Sequence, residues 1–289
     1  MQTLPLVITG AMGYVGQRLV RELESRKFQV FEIDLIGQAA FDLSKPDTAE
    51  RLNVFLPDEF DLIHLAFPFP GTMGSKKMTG LVKSVNSSLL SLNPGPRRTL
   101  FISSTAVYSA NSAMDDAPWE VYGSLKRQSE VQLSGLGNLS VLRPGTLVDG
   151  TRRSAMAALY LRAISGKTAL LPKNGSLAHP FLHVDDLVSA CVSWSEMDEM
   201  ECFNYDLWAA EPISAREYLQ TRGRNSKIVN LPNFVQRVFG SDSLPLLGIS
   251  KWHLRALNYD VSGKMSGGSR LQPLKKMSQI FDELLSSKS

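Results

Sequence analysis

Leu6-Val7-Ile8-Thr9-Gly10-Ala11-Met12-Gly13-Tyr14-Val15-Gly16 decides the fold of this chain. An apolar run leads into three glycines, Gly10, Gly13 and Gly16, which open an amphipathic stretch. Leu4 to Thr9 reads as a buried strand. Tyr14 to Ser25 reads as a helix with Val15, Leu19, Val20 and Leu23 on one face. A pyrophosphate is bound by backbone N–H groups at a helix N-terminus, and a Cβ there would block its approach, which is what the glycines avoid. Phe28 to Ile33 predicts a second strand ending in Asp34, eighteen residues past Gly16. A carboxylate at that point would grip the two ribose hydroxyls of an adenosine and repel a 2′-phosphate, so NAD is expected rather than NADP. A glycine-rich turn followed by a surface aspartate is the plainer alternative. Strand, spacing, helix and acid together favour the dinucleotide site.

Working outward, strand and helix patterns alternate through the first half, which predicts an α/β, Rossmann-type, doubly wound parallel sheet. Pro46 to Phe55 reads as a helix and Asp61 to Ala66 as a third strand, with Pro68, Pro70 and Gly71 breaking the chain beyond it. Ligands of such sheets bind at the C-terminal ends of the strands, so that loop should border the cofactor. Lys76 to Leu92 predicts a long helix, Thr99 to Ser103 a fourth strand, Trp119 to Leu133 another helix, and Ser140 to Leu142 the start of a fifth strand. Beyond Gly150 the alternation becomes irregular, with helical stretches at Arg152–Ile164, Val184–Trp194 and Ser214–Gln220. The expected organisation is a dinucleotide-binding domain over residues 1–150. A small C-terminal substrate-binding region over 151–289 is interleaved with the last sheet strands.

Composition fits this reading. The 289 residues suffice for one large α/β domain, and 43% hydrophobic with 20% charged residues describes an ordinary enzyme core. A net charge of +3 is too small to argue for nucleic acid. From Glu201 onward twelve Lys/Arg face eight Asp/Glu, so a surplus of four lies in the last third. An anionic ligand or a solvated basic surface would both account for it. Cys191 and Cys202 lack metal-ligand spacing and read as reduced core residues, and no metal is expected. The first strand begins within four residues of Met1 and no apolar run approaches a membrane span, so a cytoplasmic protein is expected.

Tyr122 and Lys126 lie four residues apart in a helical stretch and project from one face. A free tyrosine, with a pKa of about 10, is a poor base at neutral pH, and a neighbouring ammonium stabilises its phenolate. The pair is common in helices by chance. Ser104, directly after the fourth strand, strengthens it, because its hydroxyl can hold a substrate oxygen beside the phenol. Strand-end capping by Ser103, Ser104 or Thr105 is the plainer alternative.

With these residues in place the chain resembles the NAD-dependent epimerase/dehydratase family, extended short-chain dehydrogenases/reductases that act on nucleotide sugars. The matching motifs are Thr9 to Gly16, Asp34, Asp42-Leu43, His64-Leu65-Ala66 and Ser103-Ser104-Thr105-Ala106-Val107-Tyr108. They continue with Tyr122-Gly123-Ser124-Leu125-Lys126, Leu142-Arg143-Pro144 and Phe181-Leu182-His183-Val184-Asp185-Asp186-Leu187. The resemblance implies Tyr122 as catalytic acid/base, Lys126 as its activator and ribose ligand, Ser104 as the substrate-orienting hydroxyl, and Asn86 as the supporting helix asparagine. It implies a cofactor site of Gly10, Gly13, Tyr14, Val15, Gly16, Asp34, Asp42, Leu43, Ala66 and Lys126. Substrate contacts would come from Ser104, Tyr122, His179 and Arg152, and two long helices would pair the chain as a homodimer. Leu81, Val85, Leu89 and Leu92 could form that dimer stripe or pack on the sheet. The Asp185-Asp186 pair is expected to cap the helix that follows.

Departures from the family narrow the reaction. Thr105-Ala106 stand where 4,6-dehydratases carry an Asp-Glu pair, so dehydration is not expected. His179 stands where an arginine often binds the sugar-nucleotide phosphate, and an imidazole carries little charge at pH 7. The expected activity is therefore an NAD-dependent epimerase or oxidoreductase acting on a sugar or nucleotide sugar. A reductase of a smaller carbonyl, or a non-catalytic NAD-sensing protein, are the alternatives.

Overall fold

The computed structural model describes residues 4–37, 40–69, 73–108, 118–149, 155–197, 201–225, 227–230, 261, 264, 271 and 273–286. In chain order the elements are β1 (Leu6–Thr9), α1 (Gly16–Ser25), β2 (Val30–Ile33), α2 (Thr48–Phe55), β3 (Asp61–His64), α3 (Ser75–Leu90), β4 (Thr99–Ile102), α4 (Pro118–Leu133) and β5 (Leu139–Pro144). They continue with β6 (Thr146–Val148), α5 (Ala155–Ile164), β7 (Ala169–Leu171), β8 (Phe181–His183), α6 (Val184–Glu196), β9 (Asn204–Leu207), α7 (Ala215–Thr221), β10 (Ile228–Asn230) and α8 (Met277–Ser286).

The main sheet has six strands in the order β2-β1-β3-β4-β5-β9, and it is parallel from β2 to β5. This is the Rossmann-like sheet expected from the alternating pattern. The strand order reverses at β1, so the crevice of a doubly wound sheet opens between the C-terminal ends of β1 and β3. Strands β1, β3 and β4 are buried along their whole length, as strands covered by helices on both faces must be. Leu89 and Leu92 enter the core beside Val7, Leu62 and Phe101, with Val85 packed against it. That part of the α3 stripe therefore faces the sheet.

Contacts divide the chain into two compact units. The first holds residues 1–143 and 188–205, and the second holds 144–187 and 206–289. The second unit has its own core, in which Tyr160, Phe181, Tyr218 and Phe281 stack edge to face around α5, α7 and α8. It also contains two parallel pairs, β6 with β8 and β7 with β10. Strands β6, β7, β8 and β10 have only three residues each, too short for an alternation to register, and the pattern in the sequence did not reveal them.

Several local expectations are corrected. Asp186 does not act as a helix cap; its carboxylate accepts the backbone N–H groups of Leu274 and Lys275, tying the approach to α8 onto the start of α6. Cys191 is buried, whereas Cys202 is exposed and not a core residue. The expected break at Pro70-Gly71, the apolar stretch Leu244–Ile249, and Arg152 lie outside the described residues. No helix among the described residues is long and apolar enough to cross a membrane.

Candidate active site

Thr9, Asp34, His64 and Ile102 mark the C-terminal ends of β1 to β4, and the candidate residues gather just beyond them. Gly10 follows β1 with φ +76°, and a Cβ built on it would lie 2.7 Å from the Ala66 nitrogen. Gly16 is tighter: its Cβ would meet the Gly10 carbonyl oxygen at 2.2 Å. The loop thus folds back on itself and against the chain after β3, in contacts that only glycine permits. Helix α1 begins at once, with no acidic residue in its first turn, so its positive end is not neutralised from within.

Asp34, at the end of β2, turns toward this loop. Its Oδ2 accepts the Met12 N–H at 2.9 Å and its Oδ1 accepts the Leu35 N–H at 2.7 Å. A carboxylate half-exposed beside a glycine loop and a helix N-terminus fits an adenosine ribose and pyrophosphate. Ala66 lines the same loop through its contact with Gly10. Tyr14 lies under the Arg18 guanidinium, 4.4 Å from its ring.

Two other residues expected at the cofactor do structural work. Asp42 accepts from the Ser44 hydroxyl at 2.6 Å and from the Ser44 N–H, and these bonds hold its carboxyl below the usual range. Leu43 is buried in the sheet core.

Ser104, Tyr122 and Lys126, the residues expected to handle the proton, come together around β4 and α4. Ser104 sits one residue beyond the buried Ser103, where the chain turns into a short 3-10 helix, Thr105–Tyr108. Its oxygen accepts the Ala106 N–H at 3.1 Å, and its side chain is also hydrogen-bonded to the Tyr122 hydroxyl. The capping contact and the contact to the phenol therefore fall on the same side chain. Tyr122 and Lys126 are on one face of α4, the Lys126 Nζ lying 5.8 Å from the Tyr122 ring centroid.

Electrostatics at this pair differ from the expectation drawn from spacing. Burial pushes the Tyr122 phenol up to about 12, with the Ser104 bond acting in the other direction. Burial also lowers Lys126 to about 7. Desolvation penalises both charged forms. Lys126 satisfies its ammonium instead on the Ile102 carbonyl, at 2.6 Å, and on the faces of Phe67 and Phe101, at 3.8 and 4.7 Å from their centroids. Phe67 also meets the Tyr122 ring edge-on at 5.4 Å. Nothing in the spacing singled out Phe67, although it directly follows the His64-Leu65-Ala66 motif.

His64 is fully buried beneath this group. Its Nδ1 shares a 2.6 Å hydrogen bond with the Thr9 hydroxyl, and its ring stacks on Phe101 at 5.4 Å. Burial, then the nearby Lys126, lowers it to about 3, so it is neutral.

Asn86, expected as the supporting helix asparagine, lies in the interior on α3. It is 2% exposed, and its Nδ2 donates to Ser129 Oγ at 3.0 Å and to Gln132 Oε1 at 2.7 Å, binding α3 to α4. In the second unit His179 is likewise 2% exposed. It packs between Tyr160 and Phe181, and its Nε2 lies 2.9 Å from the Thr146 hydroxyl. The ring is enclosed by these neighbours. No cluster of metal-ligating side chains occurs among the described residues.

The Rossmann-like sheet brings a glycine loop, an acid after the second strand and a Ser/Tyr/Lys group beyond the ends of its strands, an arrangement that suits a dinucleotide. Residues 77–204 match the model of the NAD dependent epimerase/dehydratase family. The family is NAD-dependent. Among curated proteins, UDP-glucuronate 4-epimerase 5 of Arabidopsis thaliana is 26% identical over 235 residues, covering 65% of this chain and 53% of that protein. The chain spans little more than half the length of the curated relatives it matches.

Among solved structures, a short-chain dehydrogenase/reductase superfamily protein from Agrobacterium tumefaciens with bound NAD has a TM-score of 0.65 at 17% identity. The match covers 98% of this chain and 97% of that one. UDP-glucuronic acid 4-epimerase from Bacillus cereus, in complex with UDP-glucuronic acid and NAD, has a TM-score of 0.61 at 16% identity, covering 98% of each chain. At such identities these two likenesses establish the fold.

Proposed function

We propose that the chain binds NAD and acts on a hydroxyl or keto group of a sugar or nucleotide sugar, as an epimerase or as a net oxidoreductase. The observation that carries this is the Ser104–Tyr122 hydrogen bond with Lys126 one turn further along α4, beside the glycine loop. Gly10, Gly16 and the start of α1 would cradle the pyrophosphate, and Asp34 the adenosine ribose. NAD, when bound, supplies the hydride acceptor and donor.

Ser104 holds the substrate oxygen next to the phenol. Tyr122, as the phenol, would give its proton to that oxygen in the reducing direction and, as the phenolate, take it back in the oxidising direction. Lys126 supports the phenolate with its charge, and transfer to a base in this position contributes roughly 10²–10⁴-fold. Epimerisation follows if the keto form turns within the site before hydride returns; release of the ketone or alcohol makes the reaction a net oxidation or reduction. Thr105 and Ala106 are 8% and 5% exposed, which supports excluding a dehydratase, since neither presents an acid or base. The same reading carries a cytoplasmic homodimer, which sedimentation of the purified protein would test.

The enclosed His179 supports a second reading, a reductase of a smaller carbonyl without a diphosphate. Protection against thermal unfolding by uridine diphosphate would count against it.

The first experiment is to denature the purified protein and identify any nicotinamide it releases. Stoichiometric NAD(H) supports a cofactor recycled in place and hence epimerase chemistry. An empty site that binds NAD reversibly supports net oxidation or reduction. Failure to bind NAD at all overturns the proposal.

A further inference from the structure

Phe67 directly follows the His64-Leu65-Ala66 stretch, and its neighbours place it between the two halves of the candidate site. On one side the Gly10 turn closes on Ala66, the residue before it, with a Cβ on Gly10 falling 2.7 Å from the Ala66 nitrogen. On the other side the Lys126 Nζ lies over the Phe67 ring, 3.8 Å from its centroid, and the Tyr122 ring meets Phe67 edge-on at 5.4 Å. A dinucleotide running from the glycine loop to Tyr122 and Lys126 crosses the chain at this residue, in the crevice beyond the ends of β1 and β3.

An ammonium has three N–H bonds to place. Lys126 donates to the Ile102 carbonyl at 2.6 Å, and the faces of Phe67 and Phe101 cover it further, at 3.8 and 4.7 Å. Phe101 and Ile102 are buried in β4, where the sheet holds them. Phe67 belongs to the loop after β3, is half-buried, and is followed by Pro68 and the exposed Phe69. Of these groups, Phe67 is the one that no strand holds. A ribose hydroxyl reaches the ammonium only where that ring gives way.

We propose that Phe67 is a placeholder on Lys126: its ring covers the ammonium in the cofactor-free chain, the nicotinamide-side ribose of NAD displaces it, and this side chain thereby sets how tightly NAD binds. This rests on the NAD reading above and on Lys126 as ribose ligand, the role that the family resemblance implies.

Phe67 also packs against the apolar cluster of Met78, Val82 and Leu125. A ring that served only that packing would be replaceable by an apolar side chain of similar bulk, with no effect on NAD. A ring that competes for the ammonium acts through its π face, which leucine lacks and tyrosine keeps. Losing that contact before the ribose can bind weakens NAD by roughly 2- to 30-fold.

Calorimetric titration of the full chain with NAD and with ADP tests this. ADP fills the adenosine and pyrophosphate half and does not extend to Lys126. Phe67→Leu and Phe67→Ala are expected to bind NAD roughly 2- to 30-fold more tightly than the parent, with ADP affinity unchanged. Phe67→Tyr is expected to match the parent for both ligands. NAD affinity that stays level or falls in Phe67→Leu, a gain of the same size in Phe67→Tyr, or a gain that appears equally with ADP overturns the proposal. If Phe67→Ala does not fold, Phe67→Leu, which keeps the apolar bulk, decides alone. A parent chain that binds neither ligand removes the NAD reading and the placeholder with it. A parent that binds NAD while Phe67→Leu gains nothing removes the placeholder alone.

Discussion

Lys126 donates a 2.6 Å hydrogen bond to the carbonyl oxygen of Ile102, the last residue of β4. The bond ties the α4 face that carries Tyr122 to the strand end that carries Ser104, so the candidate site is held by backbone as well as by side chains. It also takes the ammonium out of water, which is why burial governs its charge more than its distance from the phenol does.

Tyr122→Phe removes the proton donor and acceptor while keeping the ring that Phe67 packs against. Turnover of any substrate found for the protein should fall by roughly 10²–10⁴-fold, with NAD affinity retained. Steady-state kinetics beside a fluorescence titration of NAD would check this, and unchanged turnover would remove Tyr122 from the mechanism.

Asp34→Ala should weaken NAD by roughly 10- to 150-fold, because one hydrogen bond to a charged group contributes about 1.5–3 kcal/mol. The same change removes the charge that would repel a 2′-phosphate, so the ratio of NADP to NAD affinity should rise. Parallel titrations of the two cofactors measure both effects. A ratio that stays constant would mean Asp34 does not face the ribose.

Gly16→Ala tests the loop by steric means. A methyl group 2.2 Å from the Gly10 carbonyl and 2.5 Å from that of Ala11 has no flexible neighbour to displace, so α1 must shift. Overpacking of this kind costs about 1–3 kcal/mol, and it should abolish NAD binding before it unfolds the chain. Thermal melting with and without NAD reads both: the cofactor-induced rise in Tm should vanish.

His64 gives the fold an acid-sensitive point. Its folded value is lowered to about 3 from an ordinary 6.5, so between those limits the unfolded chain binds a proton that the folded chain refuses. Stability therefore rises with pH across that window and is lost as pH falls from 6.5 toward 3, by about 3 kcal/mol at pH 4 on this group's account. Urea unfolding at pH 7 and pH 4 of the parent and of His64→Phe should show the steeper loss in the parent. Equal losses would place the acid sensitivity elsewhere.

Asp61 at the start of β3 receives Arg98 at 2.7 Å and Arg97 at 3.0 Å, with Asp61 and Arg98 both nearly free of solvent. Arg98 also lies 4.4 Å over the Trp194 ring. Asp61→Ala leaves a buried guanidinium uncompensated and should cost about 3–5 kcal/mol, seen as a lowered urea midpoint. Because this pair sits at the opposite end of β3 from His64, NAD affinity of the folded fraction should not change.

The comparison of sequence with structure divides along physical lines. The run from Leu6 to Gly16, with Asp34 after the next strand, was legible because local periodicity and glycine placement are properties of neighbouring residues. The parallel doubly wound sheet was legible from the alternating pattern for the same reason, whereas the order that puts β1 beside β3 came from the fold. Tyr122 and Lys126 were legible as a pair because four residues along a helix share a face. Other assignments depended on which atoms meet across the fold, and no spacing reports that. Asn86 and His179 carry polar groups that suit a ligand, yet both are enclosed, one between α3 and α4 and the other among aromatic rings. Phe67 belongs to no spacing rule, and it gains its role from being brought against Lys126. The sequence by itself determined the sheet, the glycine loop and the candidate pair Tyr122 and Lys126, since these follow from short-range geometry. Only the tertiary structure decided their ionisation and partners, because desolvation and charge pairing depend on packing between residues distant in the chain.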